Sequence, residues 1–436
     1  MAKTAELAPV GFELPFLTDP DPDVLGEGTL DPMGLARFAD RLADQLVPDM
    51  AARMQRVRFL TASAAGAVAL EGLDDVIPRD GVTPPSIALE WVVVEAFARS
   101  RSVSTDALRG LPGIDKARAV VARQGHLDAR SYLRSPRVFG YFGVYKRLAV
   151  GMGLLDDRLL LTQRGDELVR AWESDKPDAR GGYSDRLGRT DGGRLAIKLS
   201  DVARGTLTSG RVDLSETSFL WGKIVDAFRV DEIGPKERKV LRTGLEDPLK
   251  PHRPELITLL RRHDVVGTEA AGLKAIAPYA SNALTVTLEA VEAFERVAIL
   301  LVEAFAALQV VSTAEGWVSP RDVSTHAAIR RCNSLFPGAL RRAEERLDAV
   351  GMAFEVSVRL QEIAEAGDSA DLVERLLAHH ERVQVEKTPT RRSWFVRSER
   401  GFRVRPPYLM GEDRSVEGFV HPYRIEALRR FIEDLR

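Results

Sequence analysis

Residues 136–172 read PRVFGYFGVYKRLAVGMGLLDDRLLLTQRGDELVRAW, and the fold turns on how this stretch is parsed. Pro136–Met152 predicts one helix, Leu154-Leu155 the start of a strand, Asp156-Asp157 a tight turn, and Leu159–Leu161 the returning strand. Thr162 is placed to cap a closing helix that runs through Gly165, Leu168 and Trp172, where the first N–H groups lack partners. Upstream, Ile87, Leu89, Trp91, Val94 and Phe97 make Ser86–Arg99 a strongly amphipathic helix. Ser104–Leu108, with Ser104 as its N-cap, and Gly113–Arg123 continue the helical set. The loop Ile77–Pro85, broken by Pro78, Gly81, Pro84 and Pro85, separates this module from what precedes it.

A helix that ends at a glycine-leucine corner, a short wing and a restart at Leu-Thr resembles the end of many winged-helix regulators. That resemblance implies a winged helix-turn-helix module over residues 77–174. DNA binding is argued from charge. Arg134, Arg137, Lys146 and Arg147 flank or lie on the helix before the wing, with Arg158 and Arg164 at the wing and the following turn. A helix in the major groove reads base edges while neighbouring cations hold phosphates. Against simple readout stand Phe139, Tyr141, Phe142 and Tyr145, an aromatic group suited to a core or to a face that binds a protein partner. A solvated basic helix on a structural module is the plainer alternative.

Within the same module Leu111-Pro112-Gly113-Ile114, with the small Ala119 behind it, resembles the hairpin of helix–hairpin–helix elements, which offer backbone N–H groups to a phosphate. Asp115 departs from that family, which has a second glycine there. A base-excision enzyme of this class needs a catalytic aspartate beside the flipped base, and Asp128 lies closer to the hairpin than that spacing.

The C-terminal region holds a second basic and aromatic group. Trp394, Val396, Phe402 and Val404 alternate around Glu399-Arg400-Gly401, which predicts a β-hairpin over Arg392–Arg405. Lys387, Arg391, Arg392, Arg397, Arg400, Arg403 and Arg405 surround Trp394, Phe395, Phe402 and Tyr408. Such a set suits phosphate contacts with stacking on exposed bases. Strand alternation equally allows the apolar set to face inward and leave only charges outside.

Other chemistry finds little support. Glu386-Lys387 lacks the residue between the acid and the lysine of a metal-dependent nuclease strand, and Asp213, Glu216 and Lys223 have no strand context. His379-His380 fall on different sides of a helix and read as surface residues. No phosphate-cradling Gly-x-x-x-x-Gly-Lys loop occurs. One cysteine, Cys332, excludes an internal disulfide framework and an all-thiolate metal site.

The chain has 436 residues, room for about three domains at roughly 150 residues each. Its 44% hydrophobic and 29% charged content is that of a globular protein. The fold class expected is mainly α, a multi-domain helical protein with a winged helix-turn-helix module and a small C-terminal β-hairpin. Residues 1–76 form an extended arm and a helical hairpin, 77–174 the winged-helix-like domain, and 175–194 a glycine-rich linker or mobile loop. A helical domain over 195–386 and a basic hairpin with a final helix over 387–436 complete the chain. Val297–Val311, short for a bilayer and carrying Glu303, reads as a core helix. No signal peptide is visible, and a cytoplasmic location is expected.

Leu30–Leu35, Val138–Arg147 and Val420-His421-Pro422-Tyr423-Arg424 resemble parts of large uncharacterised bacterial proteins encoded among anti-phage defence genes. The likeness implies a role in recognising foreign DNA or in supporting an effector complex. DNA is therefore the partner expected, with a protein-binding scaffold and a cryptic nuclease or glycosylase as alternatives. No cofactor, metal or membrane partner is expected.

Overall fold

Three successive helices show how the chain makes its interior. In α1 (Ala36–Leu46) the buried Phe38, Ala39, Leu42, Ala43 and Leu46 form one stripe, as in a helix with one side in water. The next two, α2 (Phe59–Leu70) and α3 (Pro85–Arg99), are buried without interruption from Phe59 to Gly66 and from Ile87 to Phe97. Helix α3, expected to be amphipathic, is thus buried on all sides and takes Glu90 and Glu95 inside with its apolar residues. Pro85 takes the first position of α3, where a missing N–H leaves no bond unmade. The structure is a computed structural model that describes residues 31–100, 103, 108, 110–230, 232–263, 267–387 and 392–436. The expected extended arm, the Ser104 cap and Arg391 lie outside the described residues.

There follow α4 (Ile114–Ala122), α5 (Pro136–Phe139), α6 (Tyr141–Gly151), α7 (Gln163–Asp175), α8 (Pro177–Arg180), α9 (Asp191–Ser209) and α10 (Leu220–Phe228). After these come α11 (Pro235–Leu245), α12 (Arg253–Arg262), α13 (Glu269–Ile276), α14 (Asn282–Glu315), α15 (Pro320–Ser324), α16 (Ala327–Asp348), α17 (Ala353–Ala364) and α18 (Ser369–Lys387). A two-stranded antiparallel sheet of β1 (Phe395–Ser398) and β2 (Gly401–Val404) precedes the last helix, α19 (Ile425–Asp434). The protein is thus mainly helical with one small C-terminal hairpin.

The described residues divide into two compact units, neither continuous in sequence: one within 31–35, 303–333 and 366–414, the other within 36–302, 334–365 and 415–436.

In the larger unit α2, α4, α6, α9 and α10 pack on α3. Residues 175–194, expected as a linker, are built into this unit. Tyr183 is buried with its ring edge-on to Trp172 at 5.0 Å, and its hydroxyl donates to Ala65 O at 3.2 Å. Arg180 is buried too, and Thr190 caps α9 by accepting the Gly193 N–H at 3.0 Å. Glycine is used there for tight turns inside a packed segment. The His421–Arg424 stretch is an anchor: buried Glu295 accepts from the Tyr423 hydroxyl at 2.8 Å and faces His421 Nδ1 at 2.7 Å.

The smaller unit centres on aromatic rings. Phe305 meets Trp394 at 5.5 Å and Phe395 at 5.6 Å, and Trp394 stacks on Tyr408 at 4.3 Å. His379 and His380, expected at the surface, are buried here. His380 Nδ1 lies 2.8 Å from Pro32 O and its Nε2 accepts the Trp394 N–H at 3.0 Å, which assigns the ring proton to Nδ1. His379 Nε2 lies 2.9 Å from Met33 O. Both imidazoles serve the backbone, which their side-by-side positions in the sequence do not reveal.

Helix α14 runs for 34 residues. By length and composition it could cross a membrane, and 67% of its most apolar window is buried, as in a core helix.

Candidate functional site

The predicted helix Pro136–Met152 is interrupted. Gly140 takes an extended conformation (φ −74°, ψ 166°) between α5 and α6. The cause lies on α3, where Glu90, fully buried, points its carboxylate at the break. A Cβ on residue 140 would come within 1.9 Å of Glu90 Oε1. Oε2 accepts the Phe142 N–H at 3.0 Å and so supplies the cap that no local side chain provides for α6. Oε1 accepts the Tyr132 hydroxyl at 2.7 Å, and that hydroxyl also reaches Pro112 O at 3.1 Å. Burial pushes the Glu90 carboxyl up to about 8, against the hydrogen bonds from Tyr132 and from the Phe142 and Tyr141 amides.

The aromatic group sorts itself by burial. Tyr141, Phe142 and Tyr145 are core residues. Phe59 lies 5.6 Å from Tyr141 and 5.3 Å from Tyr145, and the Tyr145 hydroxyl accepts the Gln55 and Arg56 N–H groups at 2.8 and 3.0 Å. These three rings therefore cannot form a partner-binding face; Phe139, 38% exposed, remains at the surface.

What α6 leaves outside is Gly143, Lys146, Arg147, Val150 and Gly151, of which only the two cations are exposed. A Cβ on Gly143 would sit 2.4 Å from Arg137 O, so α5 crosses that side one turn before Lys146. Arg134 and Arg137 are exposed on and beside α5, with Arg137 donating to Val82 O at 2.6 Å. Arg147 is paired with Asp44 at 2.6 Å. Arg164 donates to Met152 O at 3.0 Å and closes the C-terminus of α6, a structural task. Lys146 and Arg158 are exposed and make no side-chain hydrogen bond or ion pair among the described residues.

The expected two-strand wing contracts to a single bridge, Leu155 with Leu161. The Asp156 carboxylate accepts the Arg158 and Leu160 N–H groups at 2.9 and 2.8 Å, and Leu159 takes a positive φ of 67°. Those amides are satisfied by the side chain, so no longer ladder forms. Thr162 caps α7 as expected, accepting the Gly165 N–H at 3.1 Å.

Before α4, Gly113 adopts the left-handed conformation (φ 79°) and abuts the Tyr132 ring. The loop that contains it borders a groove of about 870 Å³. Arg53, Arg118, Arg430 and Phe139 line it with Leu111 and Ile114. The Arg53 guanidinium lies 4.5 Å from the centre of the Phe139 ring. Sequence reading missed this set because Arg53, Arg118 and Arg430 come from three distant segments with no shared pattern.

On the C-terminal hairpin the alternation is realised inward on β2, whereas on β1 Phe395 is buried in place of the expected Val396. Trp394, Phe395, Phe402 and Val404 are buried, while Arg392, Arg397 and Arg403 are exposed. Arg397 pairs with Glu374 and lies 3.9 Å from Glu381, and Arg403 covers Trp317 at 5.5 Å. No base-stacking aromatic stands among the strand residues.

The remaining chemical candidates are structural. Asp128 accepts the Arg130 and Ser131 N–H groups at 3.0 and 2.7 Å and the Ser131 hydroxyl at 2.6 Å. Against burial, these bonds hold its carboxyl below the usual range, which is wrong for a general base. Among the described residues no three His, Cys, Asp or Glu side chains converge as metal ligands.

No protein-family model matches the chain, and no curated protein and no solved structure matches it either.

Proposed function

We propose that the protein is a DNA-binding component whose segment 134–164 works as a winged-helix-like module that grips phosphates instead of reading bases. The observation that carries this is the outward side of α6: its exposed side chains are Lys146 and Arg147, and α5 crosses at Gly143 with Arg134 and Arg137 exposed. A base-reading helix presents the side chains of its first turns to the groove. Here those positions, Tyr141 and Phe142, are buried and the helix start is closed by Glu90. Phosphate contacts supply the sequence-independent part of DNA affinity. The expected behaviour is therefore binding with little sequence preference. Recognition of foreign DNA within a bacterial defence system, the role implied by the resemblance, would then draw its specificity from a partner.

Fluorescence anisotropy with two unrelated duplexes at two salt concentrations tests this. Both duplexes should bind alike, with Kd at physiological salt in the range of about 10⁻⁴ to 10⁻⁶ M and a steep salt dependence. Lys146→Glu with Arg158→Glu should weaken both. Absence of binding at low salt would sink the reading.

An adaptor role is the second reading. It is favoured by Phe354 and Val358, which are exposed one turn apart on α17. Pull-down with Phe354→Ser as the control separates it.

A further inference from the structure

We propose that a small monovalent anion, chloride in ordinary solution, is held by Arg58 and Arg180 in the interior of the larger unit and balances the charge that Glu237 leaves over. The site is independent of the DNA reading, because it lies inside the unit and not on the face of α6.

Three side chains from distant segments meet there out of water. Arg58 stands just before α2, Arg180 ends α8, and Glu237 lies in the first turn of α11. The two arginine side chains are each 2% exposed and the carboxylate is 0% exposed. Arg58 Nε donates to Glu237 Oε1 at 3.1 Å, and its Nη1 donates to Arg229 O. Arg180 Nη1 stands 3.8 Å from Glu237 Oε2, too far for a hydrogen bond. One carboxylate thus faces two guanidinium groups and is bonded to only one of them. Arg58 Nη2 and Arg180 Nε and Nη1 are buried donors with no hydrogen-bond partner, and the one unbonded acceptor beside them is Glu237 Oε2.

Among the described residues the other nearby acids are engaged elsewhere. Asp175 accepts the Lys236 and Glu237 N–H groups at 3.3 and 2.8 Å, and Glu232 pairs with Lys176 at 2.6 Å and Arg229 at 3.2 Å. Burial, and next the charge of Arg58, push the Arg180 guanidinium down to about 10 against the pull of Glu237, Glu232 and Asp175. The repulsion between the arginines therefore outweighs the attraction of the carboxylate they share. An arginine does not escape such a position by losing its proton, so a buried charge of this kind calls for a partner of opposite sign. Water bonds the N–H groups without supplying that charge; an anion does both. With two guanidinium groups against one carboxylate the excess is a single positive charge, which a monovalent ion cancels and a dianion overshoots. The Trp172 ring lies 5.1 Å from the Arg180 guanidinium and covers one of its faces, which leaves the N–H edge for the ion.

The test is thermal unfolding in sodium chloride and in sodium gluconate at equal ionic strength, with Arg180→Leu and Glu237→Gln beside the wild type. An ion that binds only the folded state raises Tm, so at about 200 mM salt the wild type should melt about 2–4 °C higher in chloride than in gluconate. Arg180→Leu leaves Arg58 and Glu237 as a one-to-one pair and should lose that difference. Glu237→Gln removes the competing carboxylate and should widen the difference to about twice the wild-type value. Because both changes touch the core, crystals of the wild-type protein grown in sodium bromide give a second measurement. They should show an anomalous peak within hydrogen-bond distance of Arg58 Nη2 and of Arg180. Equal wild-type melting in the two salts would overturn the proposal. A chloride effect of the same size in Arg180→Leu would overturn it too, as would bromide crystals with only water beside the two arginines.

Discussion

Two regions of this protein carry the same composition, arginines and lysines interleaved with aromatic rings, and the structure uses them differently. Around α6 and on the C-terminal hairpin alike, the rings turn inward. Tyr141 and Tyr145 meet Phe59. Phe395 and Phe402 meet each other at 5.5 Å. The difference is in what holds the cations that are held. On the hairpin Arg397 is held by Glu374, Arg403 lies over Trp317, and Arg405 donates to Ser393 O at 2.8 Å. On the α6 side Arg147 is held by Asp44 and Arg164 by Met152 O, and each region keeps two exposed cations with no side-chain partner among the described residues: Lys146 and Arg158 here, Arg392 and Arg400 on the hairpin. A basic, aromatic stretch of sequence thus states how much charge reaches the surface without stating how much of it is already spoken for.

The largest effect should come from the rings. Tyr145→Ala removes a buried side chain and leaves the Gln55 and Arg56 amides unbonded, and should cost about 3–5 kcal/mol in chemical denaturation. Phe402→Ala on the hairpin should cost a similar amount. A Tyr145 variant of wild-type stability would break the parallel between the two regions.

Next comes pH. Glu90 titrates near 4.5 in the unfolded chain and near 8 when folded. Between those values the folded state holds a proton that the unfolded state has lost, so this group makes stability fall as pH rises. The slope approaches about 1.4 kcal/mol per pH unit within the window and flattens above pH 8. Glu90→Gln should remove this contribution, read as a shallower decline of Tm between pH 5 and 8. An unchanged profile would show that the carboxyl is already ionised at neutral pH.

Charge reversal sharpens the contrast directly. Lys146→Glu with Arg158→Glu should lower duplex affinity about tenfold at low salt and reduce the salt slope by about two. The same reversal at Arg397 and Arg403 should leave affinity within about twofold. Equal losses at both places would mean that the hairpin shares the DNA. The smallest effect is Arg397→Ala on stability, within about 1 kcal/mol for a surface pair.

Much of the fold was written in local signals. Thr162 caps α7, and alternation marked the hairpin within a few residues. What escaped depended on distant partners. The break at Gly140 is imposed by Glu90, 50 positions earlier, so the apolar period alone carried the predicted helix through it. The polar, glycine-rich run before α9 gave no hint that Trp172 and Ala65 would bury Tyr183. At the candidate site, the exposed cations of α6 could be named from sequence, whereas the groove could not, since Arg53 and Arg430 meet only in the folded chain.

The C-terminal helix has a consequence for the order in which the protein is made. Asp434 accepts the Val57 N–H at 3.0 Å and pairs with Arg56, 378 positions earlier, and Phe431 of the same helix stacks on Tyr145. At a translation rate of roughly 5–20 residues per second, about 20–75 seconds separate the emergence of those partners from the ribosome. Phe431 follows Tyr145 in the chain, so for roughly 14–57 seconds at that rate the Tyr145 ring exists without the ring that stacks on it.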